Sequence, residues 1–201
     1  MPEFVTSPAM LVLVGVLSYL LGSVPFGLVM ARLFGLGDIR KIGSGNIGAT
    51  NVLRTGNRLA AFLTLVLDAG KGAISVLLAR SLVAEDAAIL AGLAAFVGHI
   101  YPIWLRFRGG KGVATFIGTV LALSPGLGAA AAATWLFVAA LSRRSSLAAL
   151  MAAATFPIWS ILGGRPDLVL VGTIFAALIF WRHRENIRRL RDGSEPRIGR
   201  R

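Results

Sequence analysis

The chain has 201 residues, is 56% hydrophobic, and carries a mean hydropathy of +0.75 with a formal net charge of +12. A water-soluble domain of this length needs far more polar surface, so the composition points to an all-α polytopic membrane protein, one integral-membrane domain over residues 1–201 with a basic tail at 182–201. Cysteine is absent, which excludes disulfides, thiolate zinc sites and cysteine nucleophiles, and two histidines far apart argue against a histidine metal cluster.

The first predicted span covers residues 4–32. Phe4 to Ala31 carry no charge over 28 residues, more than the roughly 20 that cross a bilayer. No small-residue cleavage site follows a short apolar core, so it reads as a retained span rather than a signal peptide. Six more spans follow at 59–79, 87–105, 113–123, 127–141, 147–162 and 168–181. The fourth and fifth share one apolar stretch, divided at Ser124–Pro125–Gly126, where a Pro-Gly turn favours two short helices over one long one.

This threading puts Arg32, Arg40, Lys41, Arg54, Arg58, Arg106, Arg108, Lys111, Arg143, Arg144 and the eight arginines from Arg182 to Arg201 on one face, 18 of the 21 basic residues. The other face receives Arg80 and Arg165, together with Glu3, Glu85, Asp86 and Asp167. The positive-inside rule then predicts seven crossings, an outside amino terminus and a cytoplasmic carboxyl terminus. Six crossings would move either the Arg143/Arg144 pair or the tail to the wrong face. The net charge therefore fits loops facing anionic lipid better than a nucleic-acid partner.

The long cytoplasmic segment contains SGNIGATNVLR, residues 44–54. Gly43, Gly45, Gly48 and Ala49 let backbone amides approach an anion, while Ser44, Asn46, Thr50 and Asn51 offer short hydrogen-bonding side chains. Arg54 supplies a planar fork suited to phosphate. The plain alternative is a flexible polar connector with a surface arginine. Asp68 and Lys71 then fall mid-span, one turn apart, where a charge costs about 2.5–3.5 kcal/mol on insertion scales. They should face the bundle interior and each other, as a packing pair or, alternatively, part of an ion path. His99, near the cytoplasmic end of the third span, reads as a satisfied interior histidine.

The next loop reads FRGGKGVAT from Phe107. It is not a nucleotide-binding P-loop, because the place five before the Gly-Lys pair holds Leu105 and the place after Lys111 holds Gly112. Gly109, Gly110 and Gly112 around Lys111, running into an apolar helix, still suggest an anion site at a helix amino terminus. A tight inter-helix turn with one positive-inside lysine is the alternative. In the tail, RHRENIRRL places His183 and Asn186 on one face if the last helix continues, with Glu195 able to fold back on the arginines. A juxtamembrane helix reading anionic lipid is the competing account.

Together GSGNIGATNVLR, GHIYPIWLRFRGGKGVAT and RHRENIRRLRDGSE resemble the three motif regions of the bacterial acyl-phosphate:glycerol-3-phosphate acyltransferases, the PlsY family, with DAGKG in the second span as a further likeness. The resemblance implies acyl transfer from acyl-phosphate to the 1-hydroxyl of glycerol 3-phosphate, giving lysophosphatidic acid and phosphate without cofactor or metal. It assigns function to Ser44 and Arg54, to Gly109, Gly110 and Lys111, and to His183 and Asn186, with Glu195 more structural. It also implies a bacterial inner-membrane enzyme working at the cytoplasmic face, supplied with acyl-phosphate by a soluble enzyme. The chain lacks the His-x4-Asp pair of the commoner glycerolipid acyltransferases, and an activated acyl-phosphate needs no enzyme nucleophile. A transporter for an organic phosphate or other anion is the rival from another class, although no internal repeat supports it.

Overall fold

The computed structural model describes residues 5–199; Glu3 and Phe4 at one end and Arg200 and Arg201 at the other lie outside the described residues. Among the described residues the regular structure is helical, with no strand. They fall into two compact units, 5–123 and 124–199.

The first unit opens with α1 (Pro8–Gly22) and α2 (Phe26–Leu33). The expected first span is thus two helices meeting at Ser23–Pro25. Pro25 has no amide hydrogen to continue the ladder, and the Ser23 hydroxyl donates to Leu20 O at 2.7 Å. After the short α3 (Ala49–Leu53) come α4 (Arg58–Leu82), α5 (Glu85–Ile100) and α6 (Val113–Leu123). α4 packs on both α5 and α6, and α1 packs on α5. Glycines permit these approaches: a Cβ at Gly22 would overlap the Ala95 backbone, and one at Gly118 the Ala69 backbone.

α4 is amphipathic in the inverted sense. Thr64, Asp68, Lys71 and Ser75, spaced four, three and four apart, lie buried, while Phe62, Leu65, Val66, Ile74, Leu77 and Leu78 are exposed. Apolar surface of this extent suits a hydrocarbon surround and not water. The helix ends are fastened by charge. Asp86 accepts the Val5 and Thr6 amides at 3.1 and 2.9 Å, and Arg80 donates to Ala122 O at 2.6 Å and Leu123 O at 3.1 Å, satisfying the end of α6.

The second unit contains α7 (Pro125–Ser142), α8 (Ser145–Leu162), α9 (Val169–Arg182) and α10 (Arg184–Arg191). α8 packs on α7 and α9. The last helix does not run on into the tail. It breaks at His183, whose φ of −101° and ψ of 9° leave the helical region, and α9 and α10 meet at a bend of 65°.

Among the described residues five helical segments are long and apolar enough to cross a membrane, α1 and α2 counting as one, and the bent α9–α10 pair makes a sixth if taken as one span. α6, with 11 residues, falls short of that length.

Candidate active-site residues and family

The segment joining α2 to α4 is anchored by apolar side chains set among its polar residues. Ile39, Ile47 and Val52 are buried in a cluster with Met30, Ala31, Ala60 and Ala61. Each such burial is worth roughly 1.5–3 kcal/mol, which is why a glycine-rich stretch holds one shape here and is no loose connector. On that base stands Asn51, only 1% exposed. Its Nδ2 donates to Ile39 O at 2.7 Å, and its Oδ1 accepts the Ser44 amide at 3.1 Å and the Ser44 hydroxyl at 3.4 Å.

Asn51, expected to meet phosphate, therefore has both ends of its amide engaged inside the loop. Ser44, Thr50 and Arg54 are exposed, and Asn46 is half-buried. Gly43 takes a left-handed φ of 54°, and a Cβ there would run into the Arg54 side chain and Asn51 Oδ1. Ser44, Asn51 and Arg54 thus form one cluster around Gly43.

The Gly109–Gly112 loop rests on the last turn of α5. Arg106 and Phe107 both adopt left-handed φ, 50° and 62°, and turn the chain back. The Gly109 amide donates to Ile100 O at 3.0 Å and the Gly110 amide to His99 O at 3.1 Å. A Cβ at Gly110 would overlap the His99 ring, and one at Gly112, where φ is 82°, would overlap the Phe96 ring. The amides of Gly109 and Gly110, expected to face an anion, are spent on protein carbonyls; these glycines shape the loop. Lys111 sits half-buried between them and α6.

In the second unit His183 is 3% exposed, and its Nδ1 lies 2.8 Å from Ile179 O. A carbonyl oxygen only accepts, so Nδ1 carries a proton, and in the neutral ring Nε2 is left as the acceptor. The tail folds back through Glu195, which is 8% exposed. Its Oε1 accepts Asn186 Nδ2 at 2.7 Å and its Oε2 accepts Arg189 Nε at 2.8 Å, while its amide donates to Arg189 O at 3.1 Å. Burial pushes the Glu195 carboxyl up, but the neighbouring Ser146 hydroxyl together with the donors Asn186 and Arg189 outweighs it and holds the group below the usual glutamate range. Asn186 and Glu195 are thereby set by one fold-back, while His183 is held separately by the last turn of α9.

Comparison with known proteins decides the family. The family model described as glycerol-3-phosphate acyltransferase matches residues 12–193. The chain belongs to the glycerol-3-phosphate acyltransferase family. A glycerol-3-phosphate acyltransferase of Cereibacter sphaeroides is 61% identical over 199 residues, covering 99% of this chain and 95% of that protein. One from a Jannaschia species is 63% identical over 198 residues, covering 98% of each. A crystal structure of PlsY, an integral membrane glycerol 3-phosphate acyltransferase, in its glycerol 3-phosphate form aligns with a TM-score of 0.89 at 39% identity, over 94% of this chain and 96% of that one. Its lysophosphatidic acid form aligns with a TM-score of 0.87.

The stretch matched to the glycerol-3-phosphate acyltransferase family ends at residue 193, two short of the Glu195 clamp. Sequence reasoning missed the internal bracket of Asn51, although its place between Ile47 and Val52 was a signal. It also missed the contact of His99 with Asp68, whose side chains come from different helices.

Proposed function

We propose that the protein transfers a fatty acyl group from acyl-phosphate to the 1-hydroxyl of glycerol 3-phosphate, giving lysophosphatidic acid and phosphate, the first acylation of phospholipid synthesis. The observation that carries this reading is family membership, joined to a full-length likeness to an enzyme solved in its glycerol 3-phosphate and lysophosphatidic acid forms. Both substrates bear phosphate, and the polar loops here offer Arg54, Lys111, Ser44 and the arginines around α10.

The reaction is a direct attack. The glycerol hydroxyl oxygen bonds to the acyl carbonyl carbon, the carbon–oxygen bond to phosphate breaks, and phosphate leaves with the electron pair. Lys111 and Arg54 offset the negative charge that develops, with Ser44, Asn46, Thr50 and Gly112 lining the phosphates. Asn51, Gly109 and Gly110 hold the shape of those loops. The hydroxyl proton passes to a substrate phosphate oxygen, whose second pKa of about 6 makes it a competent base. His183 Nε2 and Asn186 orient the glycerol, and Glu195 with the Asp68/Lys71 pair supports the scaffold.

The chain crosses the bacterial inner membrane seven times in this reading, α6 included, with the 18 basic residues of the loops and tail in the cytoplasm, where a soluble enzyme supplies acyl-phosphate. Purified protein given acyl-phosphate and labelled glycerol 3-phosphate should form labelled lysophosphatidic acid without any vesicle gradient. Counterflow uptake without product would instead mark a phosphate carrier. Acyl-thioester donors should not replace acyl-phosphate.

A further inference from the structure

His99 links the buried charges of α4 to the Gly109–Gly112 loop. Asp68, Lys71 and His99 are each 5% exposed or less. Asp68 Oδ1 lies 2.9 Å from Lys71 Nζ and 3.4 Å from His99 Nδ1, so a single carboxylate oxygen faces both partners. Lys71 is held in turn. Its Nζ donates to Val24 O at 3.0 Å and stands 5.7 Å from the centroid of the Phe26 ring. On its other edge the His99 ring, through Nε2, Cε1 and Cδ2, fills the space that a Cβ at Gly110 would need. The same residue's carbonyl accepts the Gly110 amide. One histidine therefore fixes the loop from its backbone and from its ring, one residue before Lys111.

Stability alone does not account for this arrangement. Replacing a buried ion pair with packed apolar groups is often neutral or stabilising, so three buried polar side chains point to a demand for fixed geometry. A contact chain of carboxylate, imidazole and glycine backbone provides it, because the ring is packed between Asp68 Oδ1 and Gly110.

We propose that Asp68 and His99 are positioning residues for acyl transfer: the Asp68 carboxylate, anchored by Lys71, orients the His99 ring, and the ring sets the Gly109–Lys111 loop so that the lysine ammonium meets substrate phosphate. This rests on the function proposed above for Lys111. A loop displaced by about 1 Å costs on the order of 10²-fold in rate when it carries a group that must meet developing charge.

The test compares His99→Gln, Asp68→Asn and their combination with Lys111→Ala, measuring kcat and KM for glycerol 3-phosphate beside thermal stability in detergent. His99→Gln and Asp68→Asn should each lower kcat/KM by about 10- to 10²-fold with the melting temperature close to the parent's, and the combination should be little worse than His99→Gln alone. Should Asp68→Asn fail to fold because Lys71 is left unpaired, Asp68→Asn with Lys71→Met removes both charges and should show the same loss. Parental kinetics in folded His99→Gln, or losses that simply multiply in the combination, would overturn the positioning role. A fully active Lys111→Ala would overturn the reading of the loop itself, and the positioning role with it.

Discussion

The two units hold their polar residues by different means. In the first, the 109–112 loop is fixed by backbone, with glycines pressed against His99 and Phe96 and amides donated to carbonyls, and the 43–54 segment adds the Asn51 side chain to a glycine pressed against it. In the second, one carboxylate side chain, Glu195, gathers Asn186 and Arg189 and ties the tail to α10. A backbone-set loop tolerates no added carbon where it packs, whereas a side-chain clamp fails by losing hydrogen bonds. Function and stability should therefore respond differently to substitutions in the two units.

The strongest way to break this contrast is Gly110→Ala. The added methyl must displace either the His99 ring or the loop, and kcat/KM should fall on the order of 10²-fold or more in steady-state assays, with the protein still folded. An active, well-folded Gly110→Ala would show that the loop is less tightly set than its packing implies.

Glu195→Ala tests the other side. It removes the Glu195 acceptor from the buried Asn186 amide and from Arg189, a loss of roughly 1–3 kcal/mol that should appear as a lower melting temperature in detergent. Acidity offers a milder probe of the same clamp. Because the folded-state pKa of Glu195 lies below the ordinary 4.5, its contribution to stability is present above that value and is lost as pH falls through the lowered one. Melting temperature should therefore drop more steeply with acidification below pH 4.5 in the parent than in Glu195→Gln.

Much of the fold was legible because lipid imposes a simple rule: long, predominantly apolar runs at 59–79, 87–105 and 147–162 correspond to α4, α5 and α8. The break between α1 and α2 was marked by Pro25, yet hydropathy averaging ran across it. The bend at His183 was hidden for another reason. Nothing in the local sequence forbids a helix there, and a ring bonded to Ile179 O is visible only in three dimensions. Asp68 and Lys71 were readable as a pair because they are one helical turn apart. Their link to His99 depends on how α4 packs on α5, which periodicity does not carry.

Asn51 gives a graded test of the 43–54 loop, which a side chain braces as well as a glycine. Asn51→Asp keeps an acceptor for the Ser44 amide but turns an oxygen toward Ile39 O, where a donor stood. Asn51→Ala removes both contacts. Each should lower kcat/KM by about 10-fold, less than Gly110→Ala, because Ile39, Ile47 and Val52 still anchor the segment.

The smallest effect should come from the same segment at Asp38. Its carboxylate is engaged by Arg40 Nε at 2.8 Å, and that hydrogen bond lowers its pKa to about 2. The pair is exposed, however, and such surface pairs are screened and weak. Asp38→Asn should leave both kinetics and melting temperature at parental values, in contrast to Asn51 thirteen residues on. A clear loss of activity would mean that the Asp38–Arg40 turn, and not only the buried isoleucines and Val52, sets the loop that carries Ser44 and Arg54.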